Sequence, residues 1–459
     1  KAKQNTDLNI SIHELNPEKG LITLKSTASE LPALLSLIPC SVISPKPIST
    51  RLEEIMYSYL NDNTLKTCVQ HLLLRQRPAF FNDHGNDLSK WADSTLDSLI
   101  LAISELNNSY FCIQGPPGTG KTYSGARVIN ALVQQGKKIG VASNSHKAVN
   151  NMLEGVIKDM NARDIEGMVG KVHNKNDDQL YENPRIILKK SPKDISLSEV
   201  AVVGGTAWTF ANDSFIDQLD YLFIDEAGQV SLANMIGMSA SCKNIILIGD
   251  QMQLANPSQG MHPENSGDSC LNYLLKGSPT IAIDKGVLLP DTYRMHSKIC
   301  DFISSRVYEN RIASIESNDT RVIKHINNSM LQKSFGIEYI PVEHTGNEQA
   351  SPEEVLKIKE ILKSLLASTK IDRDGTKSDI TKEDILIVTP YNHQVRLLSD
   401  ALGSAFNIGT VDKFQGREAP IVIISMASSN ALTSPRGLNF LFDPNRLNVA
   451  VSRAQSLAI

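Results

Sequence analysis

After about residue 91, short apolar runs alternate with segments in which apolar residues recur at helical spacing. Residues 147–160, for example, would place Val149, Met152, Val156 and Met160 on one face of a helix. Strands that alternate with helices predict a parallel sheet covered by helices on both sides. The strands expected in this first sheet are Tyr110–Ile113, Lys138–Ala142, Val200–Val203, Tyr221–Ile224 and Asn244–Ile248.

A second series of the same kind begins at about residue 290. Ser351–Glu354 predicts a capping box with proline at the first position of the helix that follows. Asp384–Val388 and Ile421–Ser425 are expected strands on either side of a further helix. The fold class is therefore α/β, with two sheets in tandem. Residues 164 to about 198 are polar with little apolar periodicity, and we expect an insertion in the first sheet there.

The first 90 residues have a different pattern. Gly20–Lys25 predicts a strand, and apolar spacing between Arg51 and Leu74 predicts one or two helices. A polar stretch over residues 81–90 separates them from the main body. No apolar run reaches the roughly 18 to 20 residues of a membrane span, so we expect no membrane partner.

Composition adds limits but no function. The 459 residues are 41% hydrophobic and 21% charged, which excludes collagen, a coiled coil and a wholly disordered chain. The net charge of −4 neither indicates nor excludes nucleic acid. Six cysteines contain no C-x-x-C pair, so zinc-ribbon spacing is absent and we expect reduced thiols and a cytoplasmic location. Because the chain starts at Lys1 and stops within an expected strand, we expect a fragment of a longer protein.

Residues 115–122 carry the strongest chemical signal. They read Gly-Pro-Pro-Gly-Thr-Gly-Lys-Thr, a P-loop between an expected strand and an expected helix. Backbone N–H groups of such a loop surround phosphate oxygens, the lysine reaches the β- and γ-phosphates, and the threonine hydroxyl binds Mg²⁺. The residues expected to bind the nucleotide here are Gly115, Pro117, Gly118, Thr119, Gly120, Lys121 and Thr122.

An acidic pair follows another apolar strand. Asp225 is expected to hold Mg²⁺ and Glu226 to orient or deprotonate the attacking water. The next expected strand ends in Gly249–Leu254, which places further polar side chains at the same sheet edge, where ligands of α/β sheets bind. ATP and Mg²⁺ are the cofactors that this pattern predicts.

The ordered set of motifs resembles the superfamily 1 helicases, in particular the superfamily 1B branch that includes the nonsense-decay helicase and its DNA-replication relatives. The motifs are Gly115–Thr122, Ser143–Asn150, Gly205–Thr206, Asp225–Gly228, Gly249–Leu254, Tyr293–His296, Thr389–Tyr391, Gly409–Glu418 and Asn445–Arg453. Segments around His262, Tyr293 and Tyr308 look closest to bacterial helicase modules fused to a RecB-like nuclease. That resemblance implies a fused or associated nuclease outside these residues.

The resemblance also implies an architecture. It consists of two RecA-like P-loop domains, 91–288 and 289–459, the first with the insertion at about 164–198. Residues 1–50 would be the end of an accessory β-barrel, and residues 51–90 a helical stalk.

Roles of individual residues follow from the same resemblance. Gln253 would sense the γ-phosphate, Tyr293 would stack on adenine, and Glu418 would hold the ribose. Arg294 and Arg453 would be arginine fingers that stabilise the transition state. The residues that would contact the nucleic-acid backbone are Ser143, Asn144, Thr206, Thr389 and Thr410.

One position departs from the family pattern. Leu99 stands where these helicases often have an adenine-reading glutamine, so strict preference for ATP is in doubt.

The function that we expect is an ATP-dependent helicase or translocase moving 5′ to 3′ on single-stranded DNA. Two alternatives stay open. One is a helicase that remodels RNA or ribonucleoprotein, and the other is a nucleotide-gated binding switch without processive unwinding.

Overall fold

The computed structural model describes residues 10–16, 21–26, 44–81, 95–173, 180, 182–254, 262–326, 329–430 and 437–459. The chain divides into two compact units, residues 1–45 and 46–459. In the first unit, β1 (Ile10–Asn16) and β2 (Leu21–Ser26) form an antiparallel pair, with a register shift between Ile12 and Glu14. The strand expected at residues 20–25 is therefore present as β2.

The second unit begins with two helices and continues into a parallel sheet. Helices α1 (Ile48–Asp62) and α2 (Thr67–Leu73) correspond to the helical pattern seen after residue 50. The following elements are α3 (Leu96–Ser104), β3 (Tyr110–Gln114), α4 (Lys121–Gln134), β4 (Ile139–Ala142), α5 (His146–Ala162), β5 (Val169–Val172), β6 (Ile186–Lys189), β7 (Val202–Gly205), α6 (Ala207–Phe210), β8 (Leu219–Ile224), α7 (Leu232–Ser239), β9 (Cys242–Gly249), α8 (Cys270–Leu275) and β10 (Gly286–Leu288).

Among the described residues this first sheet has eight strands in the order β10-β3-β9-β8-β4-β7-β5-β6. Every pairing is parallel. The strands therefore end at one edge, where Gln114 lies opposite Gly249 and Ala142 opposite Ile224. The loops that carry the nucleotide motifs all leave the sheet at this edge.

The segment expected to be an insertion instead contributes to the sheet itself. Strands β5 and β6 lie within residues 164–198 and extend one side of the sheet beyond β7. The apolar pattern is weak there because β5 contains Gly170 and the fully buried Lys171, which donates a hydrogen bond to Asn150 Oδ1. A buried lysine with its own acceptor can occupy a strand that an apolar pattern does not reveal.

The rest of the second unit builds another parallel sheet. In chain order its elements are β11 (Asp291–Thr292), α9 (Ser297–Val307), β12 (Ala313–Ser314), β13 (Val322–Lys324), β14 (Gly336–Ile337), α10 (Pro352–Leu366), β15 (Thr369–Ile371), β16 (Lys377–Asp379), β17 (Ile385–Thr389), α11 (Asn392–Leu402), β18 (Asn407–Thr410), β19 (Ala419–Ile424), α12 (Gly437–Leu441), α13 (Pro444–Val451) and β20 (Ala454–Ala458). The order of the sheet is β14-β20-β19-β17-β18, with all pairings parallel. Strands β11 and β12 form a short parallel pair, and β13, β15 and β16 an antiparallel sheet.

The capping box expected at the start of α10 forms only in part. The Glu354 amide donates to Ser351 Oγ over 3.1 Å, as expected. The reciprocal bond is missing because the Ser351 amide donates to Gln394 Oε1 instead. The Glu354 carboxylate is buried and accepts from the Ala427 amide and the Ser425 hydroxyl. This glutamate therefore ties α10 to the end of β19 rather than closing the cap.

The expectation of an α/β fold with two helix-flanked parallel sheets is confirmed. In the part of the chain that the structure describes, no helix combines the length and apolar character needed to cross a bilayer.

Candidate nucleotide site

The P-loop joins the end of β3 to the start of α4. Gly118 and Gly120 have φ values of +77° and +79°, a region that glycine enters at little cost. Lys121 Nζ donates to the Gly115 carbonyl over 2.6 Å, which holds the lysine across the loop. The amides before α4 and the start of this helix are thus arranged as an anion-binding loop.

Residues of the second part of the chain lie directly against this loop. The Tyr293 amide donates to the Gly118 carbonyl over 2.9 Å. The Thr292 hydroxyl donates to the Pro117 carbonyl over 3.0 Å. The structure therefore brings the motif containing Tyr293 and Arg294 to the P-loop, although more than 170 residues separate them in sequence.

The acidic pair follows β8 at the same edge. Asp225 is buried, and its Oδ1 accepts from the Glu226 amide over 3.0 Å. Burial raises the pKa of Asp225 to about 7, and the charge of Glu226 acts in the same direction, whereas Lys121 opposes it. A carboxylate so desolvated is well suited to a bound cation.

Gln253 and Asp250 form a buried pair after β9. Gln253 Nε2 donates to Asp250 Oδ2 over 3.1 Å. Burial raises the pKa of Asp250, while Lys121 lowers it, which places the P-loop lysine within electrostatic reach. The expected γ-phosphate sensor thus belongs to the P-loop edge of the first sheet.

Arg294 is held by groups of the second sheet. Its Nε donates to Glu418 Oε2, and one terminal nitrogen donates to the Ser452 carbonyl over 3.2 Å. Partial burial acts to raise the pKa of Glu418, but Arg294, Gln455 and Arg321 together lower it below its ordinary value. Glu418, expected at the ribose, is therefore in contact with one of the expected arginine fingers.

Arg453 is 2% exposed. Among the described residues its hydrogen bonds go to main-chain carbonyls, those of Val449 at 3.1 Å and Arg417 at 3.0 Å. Burial and the nearby charge of Arg294 lower the pKa of Arg453, while Glu226 and Glu418 act in the opposite direction, and the pKa that results is about 9. Within the described residues no carboxylate lies at ion-pair distance from this guanidinium. The second sheet thus presents a buried cation toward the acidic pair of the first.

Two supporting residues were missed by sequence reasoning. The buried Arg321 donates to the carbonyls of Arg294 and Tyr293, and Asn318 Nδ2 donates to the Thr292 carbonyl over 2.9 Å. They hold the main chain of residues 292–294 against the P-loop. Their targets are carbonyls, which every residue has, so only an isolated buried arginine and asparagine outside the motifs could have drawn attention to them.

The residues expected to contact nucleic acid follow strand ends of the two sheets. Ser143 comes directly after β4 and Thr389 ends β17, and both hydroxyls are buried without a partner among the described residues. Asn144 is exposed and donates to the Gln229 carbonyl over 2.6 Å. Thr206 precedes α6, and Thr410 ends β18, both half-buried. These residues stay predictions as nucleic-acid contacts.

Comparisons with known proteins match both parts of the chain. Two family models described as AAA domains match residues 98–264 and 269–459. The "DNA replication ATP-dependent helicase/nuclease JHS1" of Arabidopsis thaliana is 27% identical over 441 residues, covering 88% of this chain and 32% of that protein. The "DNA replication ATP-dependent helicase/nuclease DNA2" of Gallus gallus is 25% identical over 425 residues, covering 88% and 40%. The "ATP-dependent helicase upf1" of Schizosaccharomyces pombe is 27% identical over 398 residues, covering 75% and 42%.

The chain thus spans between about a third and two fifths of the length of these relatives. The two AAA-domain matches cover its two parallel sheets, with the P-loop in one and Arg453 in the other. The resemblance to the superfamily 1 helicases, drawn from the ordered motifs, is confirmed by these helicase relatives.

Proposed function

We propose that this chain is an ATP-dependent nucleic-acid helicase or translocase that hydrolyses ATP between its two parallel sheets. The observation that carries the proposal is Arg453. A buried guanidinium without a carboxylate at ion-pair distance is costly unless an anion completes its surroundings. The triphosphate of a nucleotide on the P-loop would supply that anion. Glu226 follows β8 at the same sheet edge as the P-loop and acts electrostatically on Arg453, so the guanidinium lies near that edge.

The proposed roles divide between the two sheets. Lys121 and the P-loop amides bind the phosphates, and Glu226 activates water. Arg294 and Arg453 stabilise negative charge that develops during hydrolysis, an effect worth about 10³ to 10⁵ in rate. Tyr293 stacks on the base, and Gln253 contacts the γ-phosphate. ATP would therefore bind the two sheets together, and hydrolysis would release them.

The residues present fit a Mg²⁺ ion. Asp225 is a desolvated carboxylate, and Thr122 lies in the first turn of α4 with an exposed side chain. Mg²⁺ at such sites takes one or two protein ligands, with phosphates and waters completing the shell. In this proposal Thr122 and Asp225 hold the ion, which neutralises phosphate charge.

The substrate that we propose is single-stranded DNA, with movement 5′ to 3′. DNA is favoured over RNA because two of the relatives are named as DNA replication helicase/nucleases. For the same reason we include association with a nuclease in the proposal. The exposed Asn144 and the half-buried Thr206 and Thr410 would contact the nucleic-acid backbone with little sequence preference. The buried hydroxyls of Ser143 and Thr389 would join them only after a movement that exposes these strand ends.

The test measures ATP turnover without polymer, with single-stranded DNA and with single-stranded RNA. Lys121→Ala serves as the blank, and Lys158→Ala, an exposed lysine on α5, as the matched control. We expect turnover stimulated by DNA, lost in the first variant and kept in the second. Stimulation by RNA alone would instead favour the RNA remodeller.

A strand-separation assay at saturating ATP then tests unwinding. Duplexes with a 5′ or a 3′ single-stranded tail should differ, with the 5′-tailed duplex unwound. Stimulated turnover without strand separation would favour the nucleotide-gated switch. Absence of turnover in the wild-type protein would refute the proposal.

A further inference from the structure

Tyr308, at the end of α9, is fully buried and lies between the two sheets. Its hydroxyl donates to Asp250 Oδ2 over 2.6 Å, and it accepts from Asn448 Nδ2 over 2.9 Å. Asp250 follows β9 of the first sheet, whereas Asn448 lies on α13 beside the second. One phenol oxygen therefore joins the two parts of the nucleotide site.

The direction of these hydrogen bonds is set by chemistry. A phenol has one proton, and the carboxylate of Asp250 can only accept it. The oxygen of Tyr308 must then accept from Asn448, which turns the amide nitrogen of Asn448 toward it. The same nitrogen donates to the Met252 carbonyl over 2.8 Å, and Asn448 Oδ1 has no partner among the described residues. The orientation of this asparagine therefore depends on Tyr308 and on the loop after β9.

Both ends of the junction lead to groups of the proposed site. Asp250 Oδ2 is shared between Tyr308 and Gln253, the expected γ-phosphate sensor. At the other end, α13 stops at Val451, and Arg453 donates to the Val449 carbonyl of this helix. A change at Gln253 can thus reach the helix that holds Arg453 through three consecutive hydrogen bonds.

We propose that Tyr308 is a positioning residue that couples the γ-phosphate side of the site to Arg453 through Asp250 and Asn448. This inference rests on the proposed ATP hydrolysis. Tyr308 contacts neither the P-loop nor Tyr293 through any hydrogen bond of the described residues, so it does not hold the nucleotide. Tyr308 sets the position of α13 relative to the first sheet. The position of α13 in turn sets the position of Arg453, which is to stabilise the charge that develops on the phosphate in the transition state.

The test compares Tyr308→Phe with Tyr110→Phe. Tyr110 is also fully buried and its hydroxyl also donates over 2.6 Å, but to the Gln76 carbonyl, away from Asp250 and α13. Each variant loses one buried phenol hydroxyl. Nucleotide affinity and the number of binding sites per chain are measured by titration, and kcat and KM are measured with and without single-stranded DNA.

For Tyr308→Phe we expect kcat to fall about tenfold and stimulation by DNA to be lost, the effect of losing a buried hydrogen bond that matters in the transition state. Nucleotide affinity and binding stoichiometry should stay within about twofold of the wild-type values, since a change confined to kcat reports the transition state. Tyr110→Phe should keep kcat and stimulation. A purely structural role would lower the number of binding sites and leave kcat per site unchanged, and that result would overturn the inference.

Asn448→Ala provides a second route, which also serves if Tyr308→Phe does not fold. It should reproduce the loss of kcat, and the double variant should be no slower than the slower single variant, because both changes break one junction. Additive losses, or a normal kcat in either folded variant, would overturn the inference. No turnover in the wild-type protein would refute the proposed function itself, and the inference with it.

Discussion

Gly118 offers a direct measure of how closely the two parts of the site pack. A Cβ atom at this position would lie 2.5 Å from Arg294 Cβ and 2.6 Å from Thr292 Oγ1. Both distances are far below van der Waals contact, so Gly118→Ala must push residues 292–294 away from the P-loop. The overlap is with protein atoms alone, so its cost can be measured without nucleotide.

Gly136 supplies the matched control. It follows α4 with a φ of +75°, close to the +77° of Gly118, and a Cβ there would meet nothing within 4 Å. Alanine in this left-handed conformation costs about 1 kcal/mol of folding free energy relative to glycine. Gly136→Ala should therefore show the backbone cost alone.

The two variants should differ by the cost of the overlap. Forcing an extra methyl group into a filled space costs about 1 to 3 kcal/mol. We therefore expect Gly118→Ala to lose about 2 to 4 kcal/mol of folding free energy and Gly136→Ala about 1 kcal/mol. Turnover of ATP should be lost in the first variant and kept in the second.

Urea unfolding without nucleotide, read from midpoint and slope, measures these losses. Small-angle scattering detects the other way to relieve the overlap, which is separation of the two parts with a larger radius of gyration. Equal stability, equal radius and equal turnover in the two variants would mean that Thr292 and Arg294 do not lie against Gly118 in solution. The argument for a site shared between the two sheets would then fail.

Arg453→Ala should lower kcat by about 10³ or more while the nucleotide Kd changes little. Single-turnover kinetics and titration measure the two quantities, and near-normal turnover would exclude Arg453 from the site. Tyr293→Ala should weaken nucleotide binding about tenfold in the same titration, and unchanged affinity would exclude base stacking. Asp225→Asn should stabilise the protein, measured without nucleotide at pH 8. The pKa of Asp225 is raised to about 7 in the folded state. Its ionisation therefore lowers the free energy of unfolding by about 1.4 kcal/mol per unit of pKa shift, and asparagine removes this loss. This gain in Tm should grow as the pH rises from about 4 to 7 and be absent below the unfolded pKa; a gain independent of pH would contradict it.

The fold could be predicted where burial leaves a plain apolar pattern. The strands before the P-loop and before Asp225 are short apolar runs, and each is observed within two residues of the expected start. Strand β5 was hidden because its buried Lys171 is satisfied by Asn150, on a helix 21 residues away in sequence. The same holds for Glu354, whose partners near Ser425 replace the expected cap bond. In both cases a hydrogen-bond partner distant in sequence determines the role of a single polar residue, and a local sequence pattern does not show that partner.

The residues of the candidate site also fall into those that the sequence reveals and those that it does not. Groups that would touch the nucleotide are chemically special and recur at fixed spacing, so they could be found from the sequence. The groups that bring the two sheets together act mostly through main-chain carbonyls: Thr292 on Pro117, Tyr293 on Gly118, Asn445 on Gln251 and Asn448 on Met252. A carbonyl acceptor is common to every residue type and leaves no signature in the chain.

This division has a consequence for function. Because the acceptors are main-chain atoms, a substitution at Pro117 or Met252 would leave the contact chemistry unchanged, whereas a shift of the main chain by about 1 Å would break it. In the proposed function, binding of nucleotide and alignment of the second sheet would therefore be coupled through the path of the backbone. In the function that we propose, side chains that hold that path, such as Arg321 at residues 293–294 and Tyr308 at the loop after β9, would decide whether the arginines reach the phosphates. The rate of hydrolysis should therefore also fall when residues that never touch the nucleotide are changed.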